Sequence, residues 1–362
     1  MRLFLCGDVM TGRGIDQILP SPGDPRLYEA WMGSALDYVA LAERVSGAIP
    51  RRAPFNYVWG DALAAIGRRA PQLRIVNLET TVTANGTAEP KGINYRMHPG
   101  NVGCLTVAGI DCCILANNHV LDWGTTGLVD TVAALERVGI ATAGAGPAPA
   151  AARPAVLAAG RARLLVFAYG FRSSGVPAHW QAGPDRPGVN FLPDLGEAAL
   201  RRVAADVGHW ARDGDAVLVS LHWGPNWGYR VPARHRRFAR ALVETAGVHV
   251  VHGHSSHHPM AIEVRAGRPI FYGCGDLIND YEGIQGHEAF RSELVLAYLL
   301  DLDDRDHEMR GLKMVPFRLR QFRLNRPTVE EVAWLGASMD RQCRAFGHRV
   351  RVTADGALRL AW

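Results

Sequence analysis

Apolar segments of strand length alternate along the chain with segments of helical pattern, and this alternation restricts the fold more than any other feature. The strand-like segments are LRIVNLE (73–79), IDCCILANNH (110–119), DAVLVSLHWG (215–224) and VHVVHGH (248–254), with a further short one at 3–7. Helical patterns lie at 127–139, 197–214 and 234–247. Buried strands that alternate with helices predict an α/β fold with a layered sheet.

The strand-like segments end in polar side chains of the kinds that bind metal ions. In α/β sheets, ligands bind beyond the carboxyl ends of the strands. A single histidine at such a place is usually a hydrogen-bonded loop residue, but several strand ends with such residues indicate a common site. Carboxylate oxygen and imidazole nitrogen suit Zn, Mn or Fe. The expected ligands are Asp8, Glu79, Asn118, His222, His254 and His257.

The composition is that of an ordinary globular protein, with 362 residues of which 48% are hydrophobic and 21% charged. No apolar run reaches the roughly 18 residues that a membrane helix needs, and MRLFLCGDVM has too short an apolar core for a signal peptide. We therefore expect a cytoplasmic protein without a membrane span. The six cysteines show no CxxC spacing, which is typical of small buried side chains in a reducing compartment.

The net charge of +5 comes almost entirely from arginine, because Lys91 and Lys313 are the only lysines. The arginines are scattered, and the densest run is RRFAR at 236–240. A solvated helix face explains this run better than a nucleic-acid patch does, so we expect no nucleic-acid partner. The same run could attract an anionic substrate.

The second half of the chain begins after a connection rich in Ala, Pro and Gly at 144–160. Beyond residue 290, SELVLAYLLDLD and MRGLKMVPFRLRQFRLN are strand-like, and 328–346 has the pattern of a closing helix. There is no internal repeat. We expect one metal-binding domain at 1–325, with a C-terminal helix and tail at 326–362 packed on it.

Six motifs follow one another in a recognisable order. They are GDVMTGRG (7–14), VNLETTVT (76–83), ANNHVLDWG (116–124), LHWGPNWGY (221–229), VHGHSSHHPMAIE (251–263) and YGCGDLINDYEGI (272–284). With these motifs the chain resembles the CapA family, the poly-γ-glutamate synthesis accessory proteins. The resemblance implies an α/β fold of the calcineurin-like metallophosphoesterase type, a four-layer β-sandwich flanked by helices.

The superfamily pattern is D-x-H, G-D, G-N-H, a lone H and G-H-x-H. The residues that match it in chain order are Asp8, Glu79 (in place of the bridging Asp), Asn118 with His119, His222, His254 and His257, which arrives one residue late. The resemblance therefore implies one or two divalent ions (Mn, Zn, Fe or Ca) bridged by Glu79. One ion would also be held by Asn118, His222 and His254, and the other by Asp8 and His257.

The chain departs from the superfamily at position 10, where Met10 stands in place of the histidine of D-x-H. A thioether is a poor ligand for a hard divalent ion. The second ion would then be held more weakly, with Asp276 as a further ligand. This departure affects phosphatase chemistry more than it affects metal binding, because that chemistry uses two metals to activate a hydroxide.

Further polar and aromatic residues are candidates for catalysis and substrate binding. His287 is a candidate acid/base, together with Asp8 and His119. Arg13 follows a glycine and could face an anion, although GDVMTGRG could equally be a simple turn. The other candidate substrate-binding residues are Asp276 and the aromatic Trp223, Trp227 and Tyr229, which could instead fill the core.

Two classes of function fit these residues. The first is an enzyme that acts on a peptide or polyglutamate substrate, either as an accessory enzyme of poly-γ-glutamate capsule synthesis or as a cofactor-independent epimerase. The epimerase would invert the Cα of the C-terminal residue of a ribosomal, lasso-type peptide, with Asp8 and His287 as its acid/base pair. The second class is a non-catalytic binding subunit that contacts a biosynthetic ligase; phosphoester hydrolysis is a further alternative.

Overall fold

The computed structural model describes residues 1–147, 149–160 and 162–362. The strands are β1 (Arg2–Val9), β2 (Leu73–Leu78), β3 (Thr81–Val82), β4 (Arg96–Met97), β5 (Cys112–Ile114), β6 (Ala141–Ala143), β7 (Ala145–Gly146), β8 (Ala155–Ala159), β9 (Ala162–Phe171), β10 (Gly188–Val189), β11 (Phe191–Leu192), β12 (Asp215–His222), β13 (Val250–His254), β14 (Ile262–Arg265), β15 (Arg268–Phe271), β16 (Asp276–Ile278), β17 (Leu294–Leu302), β18 (Met309–Arg320), β19 (Arg323–Asn325), β20 (Arg349–Val352) and β21 (Leu358–Ala361). The helices are α1 (Gly14–Ile18), α2 (Ala35–Ser46), α3 (Asp61–Gly67), α4 (Gly103–Thr106), α5 (Gly124–Arg137), α6 (Glu197–Trp210), α7 (Ala233–Thr245) and α8 (Val329–Cys343).

The larger of the two main sheets is mixed. Its strand order is β20-β21-β18-β17-β1-β2-β5-β6, with β16 paired to β1 and β19 paired to β18. The strands β1, β2, β5 and β6 run parallel, and β17 runs antiparallel to β1. The parallel strands therefore present their carboxyl ends at one edge of the sheet, where β16 also joins β1 in parallel.

The smaller main sheet has the order β11-β9-β12-β13-β15-β14, with β8 paired to β9. The strands β9, β12, β13 and β15 run parallel. The helix α6 precedes β12, and α7 connects β12 to β13. This arrangement confirms the predicted alternation of buried strands and helices, and it places the ends of β12 and β13 together.

Side chains of β9 alternate between two cores and so define the layers. Leu164, Val166 and Ala168 belong to the core that contains the larger sheet, whereas Leu165 and Phe167 pack with residues of α6 and α7. Residues of α2 and α3 join the core of the larger sheet. The layers are therefore helices, sheet, sheet and helices, and the predicted α/β sandwich is confirmed.

Two segments differ in detail from the sequence-based expectation. The connection at 144–160, of which residue 148 lies outside the described residues, contains β8, and β8 forms an antiparallel hairpin with β9. The C-terminal segment forms α8, which begins with a capping box between Thr328 and Glu331, and then β20 and β21. These two strands extend the larger sheet through β18, so the tail is part of the sheet as well as packed on it.

Candidate metal centre

Asp8 lies at the end of β1, where two neighbouring strands meet it. The register places Asp8 opposite Asn77 of β2 and opposite Asp276 of β16, and it shifts next to Asp8 in both pairings. Such irregularities re-aim side chains at functional sites. Asn77 Nδ2 donates to Asp8 Oδ1 at 2.7 Å and to Glu79 Oε2 at 3.2 Å. One amide thus holds two carboxylates side by side.

His222 and His254 end β12 and β13 in the smaller sheet and are direct partners in the register. Their Nδ1 atoms lie 2.8 Å apart. His254 Nε2 lies 2.8 Å from Ser220 Oγ, and a hydrogen bond of this kind orients the other nitrogen of a metal-binding histidine. His254 Nδ1 lies 3.6 Å from Asp8 Oδ1. The two sheets therefore bring their polar ends together at this point.

Asp8, His222 and His254 form a first set of possible ligands, which we call the imidazole-rich group. Their ligand atoms all lie within 4.8 Å of one another. Asn118 Oδ1 lies 2.8 Å from His222 Nε2, and Glu79 Oε1 lies 3.9 Å from the same nitrogen. Five of the six ligands expected from the sequence are thus gathered around His222 and His254.

The sixth, His257, belongs to a second set with Asp8 and Asp276, which we call the carboxylate-rich group. His257 Nδ1 lies 2.9 Å from Asp276 Oδ1, and Asn279 Nδ2 donates to Asp276 Oδ2 at 2.8 Å. Asp276 therefore belongs to a possible ligand set. Asp8 belongs to both groups, whereas the superfamily resemblance implied that Glu79 is the bridging carboxylate.

The loop after β13 contacts Asp8 through a backbone amide. Ser255 has a φ of 90°, a conformation that is costly for a residue with a side chain and that clusters at functional sites. In this conformation its backbone N–H donates to Asp8 Oδ2 at 3.2 Å. Met10 lies nearby in the core, and its Sδ accepts a hydrogen bond from the Tyr281 hydroxyl at 3.6 Å. The thioether therefore has a structural partner.

The carboxylates of the centre are fully buried and repel one another. Burial and then the charge of Asp276 raise the pKa of Asp8 to about 7. Burial and then the charge of Asp8 raise the pKa of Glu79 well above its ordinary value. Buried carboxylates of this kind are normally paired with a cation or coordinate a metal.

The histidines of the two groups differ in charge. Burial lowers the pKa values of His222 and His254 well below the ordinary value, so both are neutral. Burial also opposes the charge on His257, but Asp276 raises its pKa above the ordinary value. Neutral imidazole is the form that binds metal, so His222 and His254 can bind an ion without losing a proton, whereas the raised pKa of His257 opposes binding in the carboxylate-rich group. A proton on Asp8 affects both groups alike, because both contain Asp8.

This donor set fits a divalent ion. The imidazole-rich group offers neutral nitrogen together with one carboxylate, which suits Zn or Fe, and the carboxylate-rich group suits a harder ion such as Mn or Ca. A divalent charge would also relieve the repulsion between Asp8 and its neighbouring carboxylates. The fit rests on buried donors that converge from both sheets.

A third polar cluster surrounds His119. Its Nδ1 lies 2.6 Å from Asp122 Oδ2, and its Nε2 lies 3.9 Å from Glu79 Oε1. Lys91 Nζ lies 2.7 Å from Asp122 Oδ1 and also donates to the backbone carbonyl of Asn118. Burial lowers the pKa of His119 to about 4. The cluster fixes a neutral His119 with Nε2 directed toward the carboxylates.

A cavity of about 750 Å³ opens beside the candidate ligands. Glu79, Asn118, His119 and His257 form part of its wall, whereas Asp8 lies behind that wall. Apolar and aromatic side chains line the rest, including Trp31, Met32, Leu41, Ile93, Tyr95, Trp227, Tyr281 and Ile284. Such a mixture of apolar surface and a few convergent polar groups is typical of a small-molecule or peptide site.

The aromatic candidates for substrate binding lie in three different places in the structure. Trp227 and His287 line the cavity and stack on each other, with ring centroids 4.0 Å apart. Tyr229 lies outside the cavity, on a neighbouring groove. Trp223 lies in the core, stacked on His235, so the core-filling alternative holds for it.

Arg13 lines the cavity, but its charge is already matched within the protein. Its guanidinium donates to both carboxylate oxygens of Asp280, at 2.8 Å and 2.7 Å, and to Glu29 Oε1 at 2.8 Å. It also stacks over Tyr38, 3.6 Å from the ring centroid. Two carboxylates of the protein therefore occupy the positions that we expected an anionic ligand to take. Arg13 forms part of the cavity wall.

The sequence-based reasoning did not identify Lys91 and Asp122. Asp122 lies three residues after His119 within a motif already recognised, a spacing that signals a partner for the imidazole. Lys91 is one of only two lysines, and this rarity is the sequence feature that could have identified it as a functional candidate. Trp31 was also missed, because the segment around it has no regular pattern.

Comparison with known proteins places these motifs in a family. A family model described as "Bacterial capsule synthesis protein PGA_cap" matches residues 2–281. A probable polyglutamine synthesis accessory protein of Mycobacterium tuberculosis is 47% identical over 365 residues, which cover 99% of this chain and 95% of the relative. The residues of the candidate centre up to Tyr281 lie within the family match.

Two further relatives are more distant. The PGA biosynthesis protein CapA of Bacillus subtilis is 25% identical over 296 residues, covering 81% of this chain and 66% of the relative. The capsule biosynthesis protein CapA of Bacillus anthracis is 25% identical over 234 residues, covering 64% of this chain and 53% of the relative. Separately, none of the helices in the described part of the chain is long and apolar enough to cross a membrane.

Proposed function

Because the chain belongs to the bacterial capsule synthesis protein family PGA_cap, in agreement with the CapA resemblance, we propose that it is a metal-dependent accessory enzyme of polyglutamate synthesis that acts on a peptide-like substrate. The observation that carries the proposal is the convergence of buried carboxylate and imidazole donors from both sheets beside a cavity. The names of the relatives, one in polyglutamine synthesis and two in capsule or PGA synthesis, supply the substrate class.

Each part of the centre has a distinct task in this proposal. Asp8, His222 and His254 would hold one ion, and Asp8, His257 and Asp276 would hold the other. A bound divalent ion polarises a carbonyl and stabilises the negative charge that develops on its oxygen.

The side chains on the cavity wall supply the proton chemistry. His119, fixed by Asp122, presents Nε2 to the bound substrate and accepts or donates a proton there. Glu79 faces the same space. The aromatic pair of Trp227 and His287 packs against the substrate chain and limits access of water to this part of the cavity.

The test uses the purified protein, γ-linked oligoglutamate and mass spectrometry. Hydrolysis or transfer of a γ-glutamyl unit is expected with the metal-loaded protein, and it should stop after treatment with a chelator and return when metal is restored. His222→Ala should abolish the reaction. His209→Ala is the matched control, because His209 is exposed on α6 and belongs to neither ligand group.

Binding that does not depend on metal and yields no product would refute the metal-dependent enzyme and favour the non-catalytic binding subunit. In that case oligoglutamate or a synthesis partner would bind equally well with and without chelator, and no product would form. Phosphoester hydrolysis by the wild-type protein at a rate higher than that for γ-glutamyl bonds would favour the phosphoesterase alternative.

A specific observation also favours a second candidate, Cα epimerisation of a peptide. The cavity has acid/base groups on separate elements, Glu79 and His119 after strands of the larger sheet and His287 in the loop after β16. Epimerisation needs two such groups on opposite faces of one carbon. Since Asp8 lies behind the cavity wall, Glu79 or His119 is a better partner for His287 than Asp8 is.

Heavy water distinguishes this second candidate from hydrolysis. An epimerase would place deuterium at one Cα of a bound peptide without any mass change from bond cleavage, and His287→Ala would remove this exchange. Cleavage of γ-glutamyl peptide without deuterium at Cα would exclude epimerisation.

A further inference from the structure

A groove of about 460 Å³ lies on the surface next to the cavity, between the start of α7 and the end of α8. Its wall contains three arginines, Arg230, Arg236 and Arg341, and two aromatic residues, Tyr229 and Phe346. Arg230 and Arg341 are exposed and Arg236 is half-buried. The groove thus combines an aromatic floor with a cationic rim.

The three arginines keep their charges available. Within residues 1–147, 149–160 and 162–362, none of them forms an ion pair. The carboxylates near the groove are already engaged by other arginines. Asp340 binds Arg344 and Arg349, and Glu263 binds Arg240.

The start of α7 adds to the positive potential. Its first turn contains no acidic residue and has Pro232 as N-cap, and Arg234, Arg236 and Arg237 all lie within the first half of the helix. The N-terminal end of a helix carries a partial positive charge, so cations there are unfavourable and anions are favourable. An anionic ligand would turn this arrangement into a stabilising one.

One loop of the chain lines both the cavity and the groove. Trp227 lines the cavity and Tyr229 lines the groove, two residues further on. Between them, Gly228 N–H donates to His258 Nε2 at 3.0 Å, and the Tyr229 ring packs against the same histidine. The wall of the cavity at Trp227 and the wall of the groove at Tyr229 are thus held by the same histidine, and Arg230 follows directly.

We propose that this groove binds successive carboxylates of an acidic peptide chain whose end lies in the cavity. The inference rests on the proposed function, and it adds a second binding surface for the part of the polymer that extends beyond the cavity. The guanidinium groups would pair with the side-chain or α-carboxylates, and the aromatic floor would contact the chain between them.

The test compares binding of two probes by fluorescence anisotropy. One probe is a labelled γ-linked oligoglutamate long enough to span cavity and groove, and the other is labelled γ-glutamylglutamate, which fills only the cavity. Arg230→Gln/Arg341→Gln should weaken oligomer binding by roughly two- to thirtyfold, the range that two exposed ion pairs provide. The affinity for the dipeptide should stay unchanged.

Arg212→Gln/Arg305→Gln is the matched control, since it removes the same charge from exposed arginines elsewhere. Arg212 lies just before β12, and the turn that contains Arg305 is tied to the same end of β12 by His307, whose Nε2 lies 3.2 Å from Gly214 O. This end is opposite to the one that carries His222. The control should bind the oligomer as the wild type does.

Several results would overturn the inference. The inference fails if the groove variant binds the oligomer with wild-type affinity. It also fails if the control variant loses as much oligomer affinity as the groove variant does, or if the wild-type protein does not bind the oligomer. Tighter binding of a single-stranded oligonucleotide of equal charge would assign the groove to nucleic acid. The metal-dependent reaction is measured separately. If the groove variant binds the oligomer with wild-type affinity while the protein still turns over short γ-glutamyl peptides, the groove inference fails and the proposed function stands.

Discussion

The two ligand groups share Asp8 but differ in almost every other respect. The imidazole-rich group takes its histidines from two parallel strands in direct register, and both histidines are neutral. The carboxylate-rich group takes Asp276 from a short strand and His257 from a loop, and these two form a charge-assisted contact of 2.9 Å. An ion in the second group must displace a proton and break this contact.

The difference predicts how the proposed metal affinity is divided between the two groups. Ligands on regular strands are held in place by the sheet and lose little freedom when an ion binds, as sites on rigid elements generally do. Both groups also contain a contact between ligands that an ion would disturb, but the one between His257 and Asp276 is charge-assisted, whereas the one between His222 and His254 joins two neutral imidazoles. We therefore expect the imidazole-rich group to bind its ion more tightly than the carboxylate-rich group does.

The largest effect is expected from Asp8→Asn, because Asp8 is the only residue common to both groups. The amide keeps the size of the side chain but removes the negative charge, so both ions should be lost. Elemental analysis of the purified variant measures the loss. His258→Ala is the control and should retain the wild-type metal content.

The same substitution has a second readout in metal-free protein. Since burial and Asp276 raise the pKa of Asp8 to about 7, the charged form is unfavourable in the folded state. Stability from this carboxyl is present at low pH and decreases as pH rises toward 7. Asp8→Asn should therefore leave the thermal midpoint of the metal-free protein unchanged or higher at pH 8. A large decrease would show that Asp8 supports the fold and is not primarily a ligand.

A smaller and selective effect is expected when each group is changed alone. His222→Ala should remove the tightly bound ion, and Asp276→Asn should remove only the weaker one. Losing a direct ligand should reduce affinity by more than the roughly 10- to 100-fold that a supporting residue provides. Titration with Zn and Mn, followed by calorimetry, measures both sites.

The variants His222→Ala and Asp276→Asn serve as controls for each other. Each variant should keep the ion of the other group at close to wild-type affinity. If both variants lose both ions, the two groups act as a single site centred on Asp8, and the comparison between them fails.

Much of this architecture could be predicted from the sequence because it depends on local pattern. The segments 215–224 and 248–254 are apolar until their last residues, and they form β12 and β13 with His222 and His254 at their ends. Parallel packing then requires these ends to meet. The same reasoning placed Asp8, Glu79 and Asn118 at or beyond strand ends, but it assumed a single sheet. The structure puts their strands in the larger sheet and those of His222 and His254 in the smaller one.

The remainder depends on tertiary contacts that periodicity does not encode. The pairing of Asp276 with Asp8 comes from β16, which has only three residues, Asp276–Ile278, and no pattern of its own. The neutralisation of Arg13 requires Glu29 and Asp280, which lie far from each other along the chain. Trp223 and Trp227 are four residues apart in one loop, yet only the second faces the cavity.

The smallest expected effect concerns Met10, which holds the position of a superfamily histidine and contacts the Tyr281 hydroxyl through its Sδ. Met10→His would offer a nitrogen two residues after Asp8, in place of a thioether that binds hard ions poorly. We expect the affinity of the carboxylate-rich group for Mn to rise modestly, with no change in the imidazole-rich group. Because position 10 is buried, Met10→Gln is the matched control for the cost of placing a polar side chain there. Calorimetric titration of the three proteins decides. Equal Mn affinity in Met10→His and Met10→Gln would mean that the position contributes nothing to either group, and that the weakness of the second group arises from the His257–Asp276 contact alone.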